Sequence, residues 1–269
     1  FCHDLPTKAR PELGTILVTG ASGYIGGRLV PELTARGYRV RIMVRGDAFF
    51  YRGRWPQVEV VVGDALNKPD LNKALKGVYA AYYLIHSLLL GPGEFEEADI
   101  AAALNFKDAA TEEGVNRIIY LGGLGDILSI RSPHLRGRIR VAETLQSGAA
   151  KTTVLRAAVI IGSGSASYEI IHHLVKKVPI IFIPHWARNA CQPIGIRDVV
   201  KYLVGVLENP DTAGRCFDIG GRDVLTYEKM MRIFAATLDK KTIFIPSPIP
   251  SMSIFGYIAG LMTPVPLPI

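Results

Sequence analysis

The amino-acid sequence predicts an α/β protein built on a doubly wound parallel sheet, with a small C-terminal lobe. Three observations predict it. Short apolar runs alternate with segments of helical period, the βαβ rhythm of a parallel sheet. A glycine-rich turn directly follows the first apolar run and directly opens an amphipathic helix. Apolar residues make up 49% of the chain against 20% charged, enough to bury a sizeable core.

The first strand is Thr15-Ile16-Leu17-Val18-Thr19, followed by the glycine turn and a helix through Ile25, Leu29 and Leu33 that stops at Gly37. The second strand is Arg39–Val44 and the third Val58–Val62. A short helix around Leu71–Leu75 leads to the fourth strand, Val78–Ile85. The next helix runs from about Glu94 to Glu113, with Ile100, Ala103 and Leu104 at helical spacing and Gly114 at its end. The fifth strand is Arg117–Leu121. A helix from Pro133 to Gly148 and a sixth strand, Thr152–Arg156, complete the sheet.

Beyond Gly162 the rhythm loosens. Short apolar pieces (Ile180–Ile183, Cys216–Ile219, Thr242–Ile245) and helices (Arg197–Leu207, Tyr227–Leu238) read as a smaller substrate lobe. The predicted division is 1–162 for the sheet and 163–269 for the lobe, partly interleaved.

The formal charge is +7, from 31 basic and 24 acidic residues, but the arginines are scattered and no nucleic-acid module accompanies them. Nucleic acid is therefore not an expected partner. An anionic small ligand accounts for the basic residues equally well. Three cysteines (Cys2, Cys191, Cys216) form neither a disulfide framework nor a metal pattern, as in a cytoplasmic or other reducing compartment. The beginning Phe1-Cys2-His3-Asp4 lacks the basic-then-apolar pattern of a secretory signal.

The glycine turn reads Thr19-Gly20-Ala21-Ser22-Gly23-Tyr24-Ile25-Gly26-Gly27. In a dinucleotide-binding Rossmann unit, Gly20 permits the tight turn. Gly23 lets the backbone approach the pyrophosphate, and Gly26 packs the helix closely on the strand. The phosphates meet the unpaired amides at the helix start, so Gly20, Ser22, Gly23, Tyr24, Ile25 and Gly26 are the expected contacts. NAD-selective sites place a carboxylate at the end of the second strand; here Val44-Arg45-Gly46 stands there, with Asp47 close by. A guanidinium suits a 2′-phosphate, so NADP(H) is expected over NAD(H). Asp64 and Ala65 follow the third strand, where a carboxylate can accept from the adenine amino group or cap a turn. Ile85, His86 and Ser87 end the fourth strand, at the edge where the nicotinamide half lies.

With those residues in place, the chain resembles the atypical short-chain dehydrogenase/reductases with extended-type glycine spacing. The resemblance runs through Tyr82-Tyr83-Leu84-Ile85-His86-Ser87, Ile118–Gly125, Leu155–Gly164, Gln192-Pro193-Ile194 and Phe217-Asp218-Ile219-Gly220-Gly221. More distantly, the chain is similar to the NADPH-holding accessory subunit of respiratory complex I.

The superfamily's chemistry implies a Tyr with a Lys four residues later, and a Ser or Thr after the fifth strand. None of the 11 tyrosines here has Lys at that spacing. His134-Leu135-Arg136-Gly137-Arg138 stands in place of the pair and Gly122-Gly123 in place of the Ser. His134 and Arg138 share a helix face. A free imidazole titrates near ~6.5, against ~10 for a phenol, so His134 is a candidate acid or base and Arg138 a candidate ribose contact. Their other reading is a helix start and a solvent contact. Tyr168 reads as a substrate-cleft residue or a core aromatic. The adjacent His172 and His173 point about a hundred degrees apart on a helix, so no metal site is expected.

From Thr242 to Ile269 no residue is charged, and Ser251–Thr263 is the one long proline-free run. It is too short to span a membrane. Packing on the lobe, contact with another subunit and lying on a membrane surface all stay open. Two functions compete. One is an NADP(H)-dependent oxidoreductase of a small, apolar carbonyl or enone, which Gln192 and Arg197-Asp198 favour. The other is a non-catalytic NADP(H)-holding subunit or redox sensor, which the missing Tyr, Lys and Ser favour.

Overall fold

The structure, a computed structural model, describes residues 1–86, 94–125 and 133–247. In chain order the first elements are β1 (Thr15–Thr19), α1 (Gly26–Ala35), β2 (Arg39–Val44), α2 (Ala48–Arg54), β3 (Glu59–Val62) and α3 (Lys68–Leu75). Then come β4 (Val78–Tyr83), α4 (Glu94–Glu112), β5 (Arg117–Gly123), α5 (Pro133–Gln146) and β6 (Lys151–Ala157). The chain leaves the sheet through β7 (Ile160–Ile161), α6 (Ala166–Lys177), β8 (Ile180–Ile183), β9 (Ala190–Cys191) and β10 (Ile194–Gly195). It returns as α7 (Ile196–Glu208) and β11 (Cys216–Ile219), and ends its described course in β12 (Leu225–Thr226), α8 (Tyr227–Thr237) and β13 (Ile243–Pro246).

Seven strands form one sheet in the order β11-β6-β5-β4-β1-β2-β3, all neighbours parallel. This is the predicted fold class, a doubly wound Rossmann-type sheet. The chain divides into two compact units, Phe1–Ala157 with Arg197–Ile219, and Ala158–Ile196 with the chain from Gly220 onward. The interleaving is carried by α7 and β11, both assigned from sequence to the lobe. In fact β11 is the seventh strand, registered on β6 from Cys216–Val154 to Ile219–Ala157. An edge strand buried only at Ile219 has no continuous apolar run to betray it.

Packing follows from the sequence periods. On α1, Leu29, Val30 and Leu33 are buried, and on α3, Leu71, Ala74 and Leu75. Asn67 caps α3 by accepting from the Asp70 amide, and Asp47 caps the unanticipated α2 through Phe49. On α4 the buried stripe is Asp99, Ala102, Ala103, Phe106, Ala109 and Ala110, whereas Leu104, expected on the buried face, is 42% exposed. Alanines bring this helix close to the sheet, and Phe106 packs edge-on to Tyr83 of β4 at 4.9 Å.

Two buried polar clusters tie the returning segment to the sheet. Arg117 of β5 donates to the Leu207 and Asn209 carbonyls and to the hydroxyls of Thr153 and Thr212. Burial draws its pKa below the ordinary arginine value. Glu208, at the end of α7, has a fully buried side chain that accepts from Arg36 at 2.6 and 2.7 Å, Thr7 at 2.5 Å and Tyr38 at 3.3 Å. Four donors satisfy a carboxylate that would otherwise be very unfavourable in the interior. The Tyr38 phenol is pushed up to about 12, chiefly by burial.

The second unit has its own core of Val175, Ile181, Ile183, Ala187, Met231 and Ala235, with β8 and β13 paired in parallel. Ser165 caps α6 and Thr226 caps α8. Among the described residues no helix is long and apolar enough to cross a membrane. The Ser251–Thr263 run lies outside the described residues.

Candidate functional site

The end of β1, the first turn of α1 and the carboxyl ends of β2, β3 and β4 enclose a cleft of about 420 Å³. A Rossmann sheet places its ligand crevice at this edge, because the connections leave in opposite directions there. Gly20, Ser22, Gly23, Tyr24, Ile25, Gly26, Arg45, Asp64, Ala65, Ile85 and His86 all line it. Ser87, the remaining expected strand-end contact, lies outside the described residues.

The turn is built as its glycines require. Gly20 has φ +68°, and a Cβ there would lie 2.4 Å from the Leu84 carbonyl oxygen. A Cβ on Gly26 would lie 2.4 Å from the Gly20 carbonyl oxygen. At Gly23 the one near neighbour is that same oxygen, at 3.2 Å, so the backbone stays open to the cleft. Gly23 N–H donates to the Gly20 carbonyl at 3.0 Å and closes the turn. The amino end of α1, the positive end of its dipole, thus borders the cleft through Ile25 and Gly26, where a pyrophosphate is favoured. A dinucleotide fits these residues.

Arg45 is exposed at the end of β2 and borders the cleft. Asp47 does not line it, since its carboxylate accepts from the Phe49 amide at 2.8 Å to start α2. Asp64 does both things its sequence position allows: it lines the cleft, and it accepts from the Leu66 amide at 2.9 Å. Arg28 lies 3.9 Å over the Tyr24 ring and donates to the Tyr24 carbonyl, which braces the turn from the helix side.

A residue not singled out from the sequence completes the cleft's chemistry. Nδ1 of His86 lies 3.0 Å from Oδ2 of Asp99 on α4, whose side chain is 7% exposed. A carboxylate can only accept, so Nδ1 carries the hydrogen of this bond, which fixes the ring's tautomer.

Arg138 stands elsewhere. It donates to the Leu121 carbonyl, stacks 5.0 Å from the Tyr120 ring and lines a second pocket, of about 500 Å³, with Gly122, Gly123, Glu143, Arg156 and Asp218. The positions expected to replace the usual Ser and Lys do come together, but they share no lining residue with the glycine cleft. A Cβ at Gly123 would lie 2.8 Å from the Leu135 side chain, so glycine there lets α5 pack closely on β5. His134 begins α5, and its side chain lies outside the described part.

The second unit uses the remaining candidates for packing. Tyr168 meets Phe234 edge-on at 5.3 Å, and Gln192 donates to the Gly221 carbonyl at 2.6 Å. His173 bonds its own helix at the Glu169 carbonyl.

The NmrA-like family model matches residues 12–255. The chain belongs to the NmrA-like family. This agrees with the resemblance to atypical short-chain dehydrogenase/reductases drawn from the motifs. Among similar proteins, the Arabidopsis thaliana mitochondrial NADH dehydrogenase [ubiquinone] 1 alpha subcomplex subunit 9 is 25% identical over 97% of this NmrA-like chain and 68% of its own length. The chain thus spans about two thirds of that relative. Citrobacter sp. triphenylmethane reductase, solved with NADP(H), superposes with a TM-score of 0.75 at 20% identity, covering 91% of this chain and 84% of its own. A Staphylococcus aureus nucleoside-diphosphate-sugar epimerase superposes with a TM-score of 0.76 at 20% identity, covering 93% and 85%.

Proposed function

We propose that the glycine cleft holds NADP(H) and that the protein is a reductase or dehydrogenase of a small, apolar carbonyl or enone. The observation that carries this reading is that His86, which lines the cleft of the glycine turn, is held at Nδ1 by the buried Asp99 behind it. When bound, the coenzyme supplies or accepts hydride. The chain's own part is binding and proton handling. The amides at the start of α1 hold the paired phosphates, and Arg45 takes the 2′-phosphate. Asp99 fixes the His86 tautomer, and Nε2 gives or takes the proton that the reaction requires. Support also comes from the triphenylmethane reductase, a fold neighbour described in complex with NADP(H). The three cysteines are all free, which supports a reducing compartment.

The absence of a Tyr with Lys at i+4 favours the second reading, an NADP(H)-holding subunit, and the Arabidopsis relative is named as a subunit of a NADH dehydrogenase [ubiquinone]. NADPH oxidation against a panel of aldehydes, ketones and enones separates the two. Turnover with any of them, lost in His86→Ala while NADPH still binds, supports the enzyme. NADPH that binds and survives the whole panel supports the holding subunit.

A further inference from the structure

The stretch from Arg45 to Gln57 leaves the sheet after β2 and returns to β3 through α2, and nearly all of it is exposed. Phe49 is 83% and Phe50 55% exposed, the first the most exposed large apolar side chain among the described residues. The inner side of the same stretch is well ordered by contacts. Tyr51 stacks on Trp55 at 6.1 Å, Arg54 lies 4.8 Å over the Trp55 ring, and Phe50 meets Tyr51 edge-on at 5.1 Å. The two phenyl rings are therefore presented outward by a held turn.

The charge around them is mainly positive. Arg45, Arg52 and Arg54 flank the rings, all exposed, and among the described residues none of them pairs with a carboxylate. Asp47, the one acid between Arg45 and Gln57, is taken by the α2 cap. Neighbouring apolar rings without polar atoms, ringed by unpaired guanidinium groups, match a surface that is apolar below and anionic above.

We propose that α2 and its flanks form a docking surface for an anionic lipid bilayer, with Phe49 and Phe50 entering the acyl boundary and Arg52 and Arg54 on the phosphates. This goes beyond the coenzyme reading and does not depend on it. It sets Arg45, at the border of the glycine cleft, beside the lipid surface.

Sedimentation of the full chain with vesicles of phosphatidylcholine, with and without phosphatidylglycerol, tests it. Binding is expected only to the anionic vesicles. It should fall at least about tenfold in Phe49→Ser/Phe50→Ser and about fivefold in Arg52→Ala. NADPH affinity and thermal stability should be unchanged in both variants, which keeps failure of the surface separate from failure of the fold or the cleft. No binding to anionic vesicles overturns the proposal. So does binding that the paired Phe variant leaves intact. Self-association of the native chain that this variant abolishes, without lipid binding, would assign the face to a second copy instead and equally overturn it.

Discussion

Nδ1 of His86 and Oδ2 of Asp99 lie 3.0 Å apart, joining the residues just after β4 to the second turn of α4. The pair spans thirteen positions in sequence, and its carboxylate is shielded from water. Asp99→Asn replaces an obligate acceptor by a group that can offer a hydrogen, and so releases the tautomer. Turnover is expected to fall about a hundredfold, with KM and NADPH affinity changed by less than about threefold. Steady-state kinetics with any substrate found in the panel checks this. Equal losses in KM and kcat would point to a structural role.

Arg45→Ala should erase the preference for NADPH over NADH. A charge-assisted pair to a 2′-phosphate is worth about 1.5–3 kcal/mol, so calorimetric titration should show NADPH affinity falling by at least about tenfold while NADH binding is unchanged. Asp47→Ala should leave the preference intact, because that carboxylate caps α2.

Gly20→Ala should destabilise the fold by at least about 2 kcal/mol, from the left-handed backbone at φ +68° and the 2.4 Å approach to the Leu84 oxygen. Urea unfolding measures the loss, and NADPH binding should vanish even where the variant remains folded.

The glycine turn was legible because its demands fall on the backbone, and only glycine meets them. Arg45 was legible for a similar reason: position at a strand end fixes where a side chain can reach. Asp99 was not, since the start of α4 is rich in acids (Glu94, Glu96, Glu97) and nothing local marks which one is buried. The same holds for β11, an edge strand with little apolar content, and for Arg138, whose partner is a main-chain carbonyl that no side-chain pattern reveals. Contacts between elements distant in sequence escape periodicity. Local backbone requirements do not.

Arg36→Met should cost about 3–5 kcal/mol, because it strands the fully buried Glu208 carboxylate. Arg36→Met combined with Glu208→Leu should recover part of that loss, because both charges are then gone. Chemical denaturation of the single and double variants gives the coupling directly.

Thiol labelling at neutral pH should find one fast cysteine. Cys216 is exposed, whereas the Cys2 thiol is buried and pushed up to about 11, first by burial and then by Glu32. Reactivity follows the thiolate and its access, so Cys2 should label only on unfolding, and the half-buried Cys191, its thiol pushed up by burial, should label more slowly than the exposed Cys216.

The return of the chain to the sheet has a consequence for synthesis. When residues up to Ala157 have left the ribosome, the sheet still lacks its outermost strand, and Arg36 waits for an acid more than 170 positions downstream. The nucleotide unit therefore cannot finish folding ahead of the insert that interrupts it. A fragment ending at residue 162 would be an unfinished sheet with an orphaned cation, unsuited to serve as a free-standing coenzyme binder.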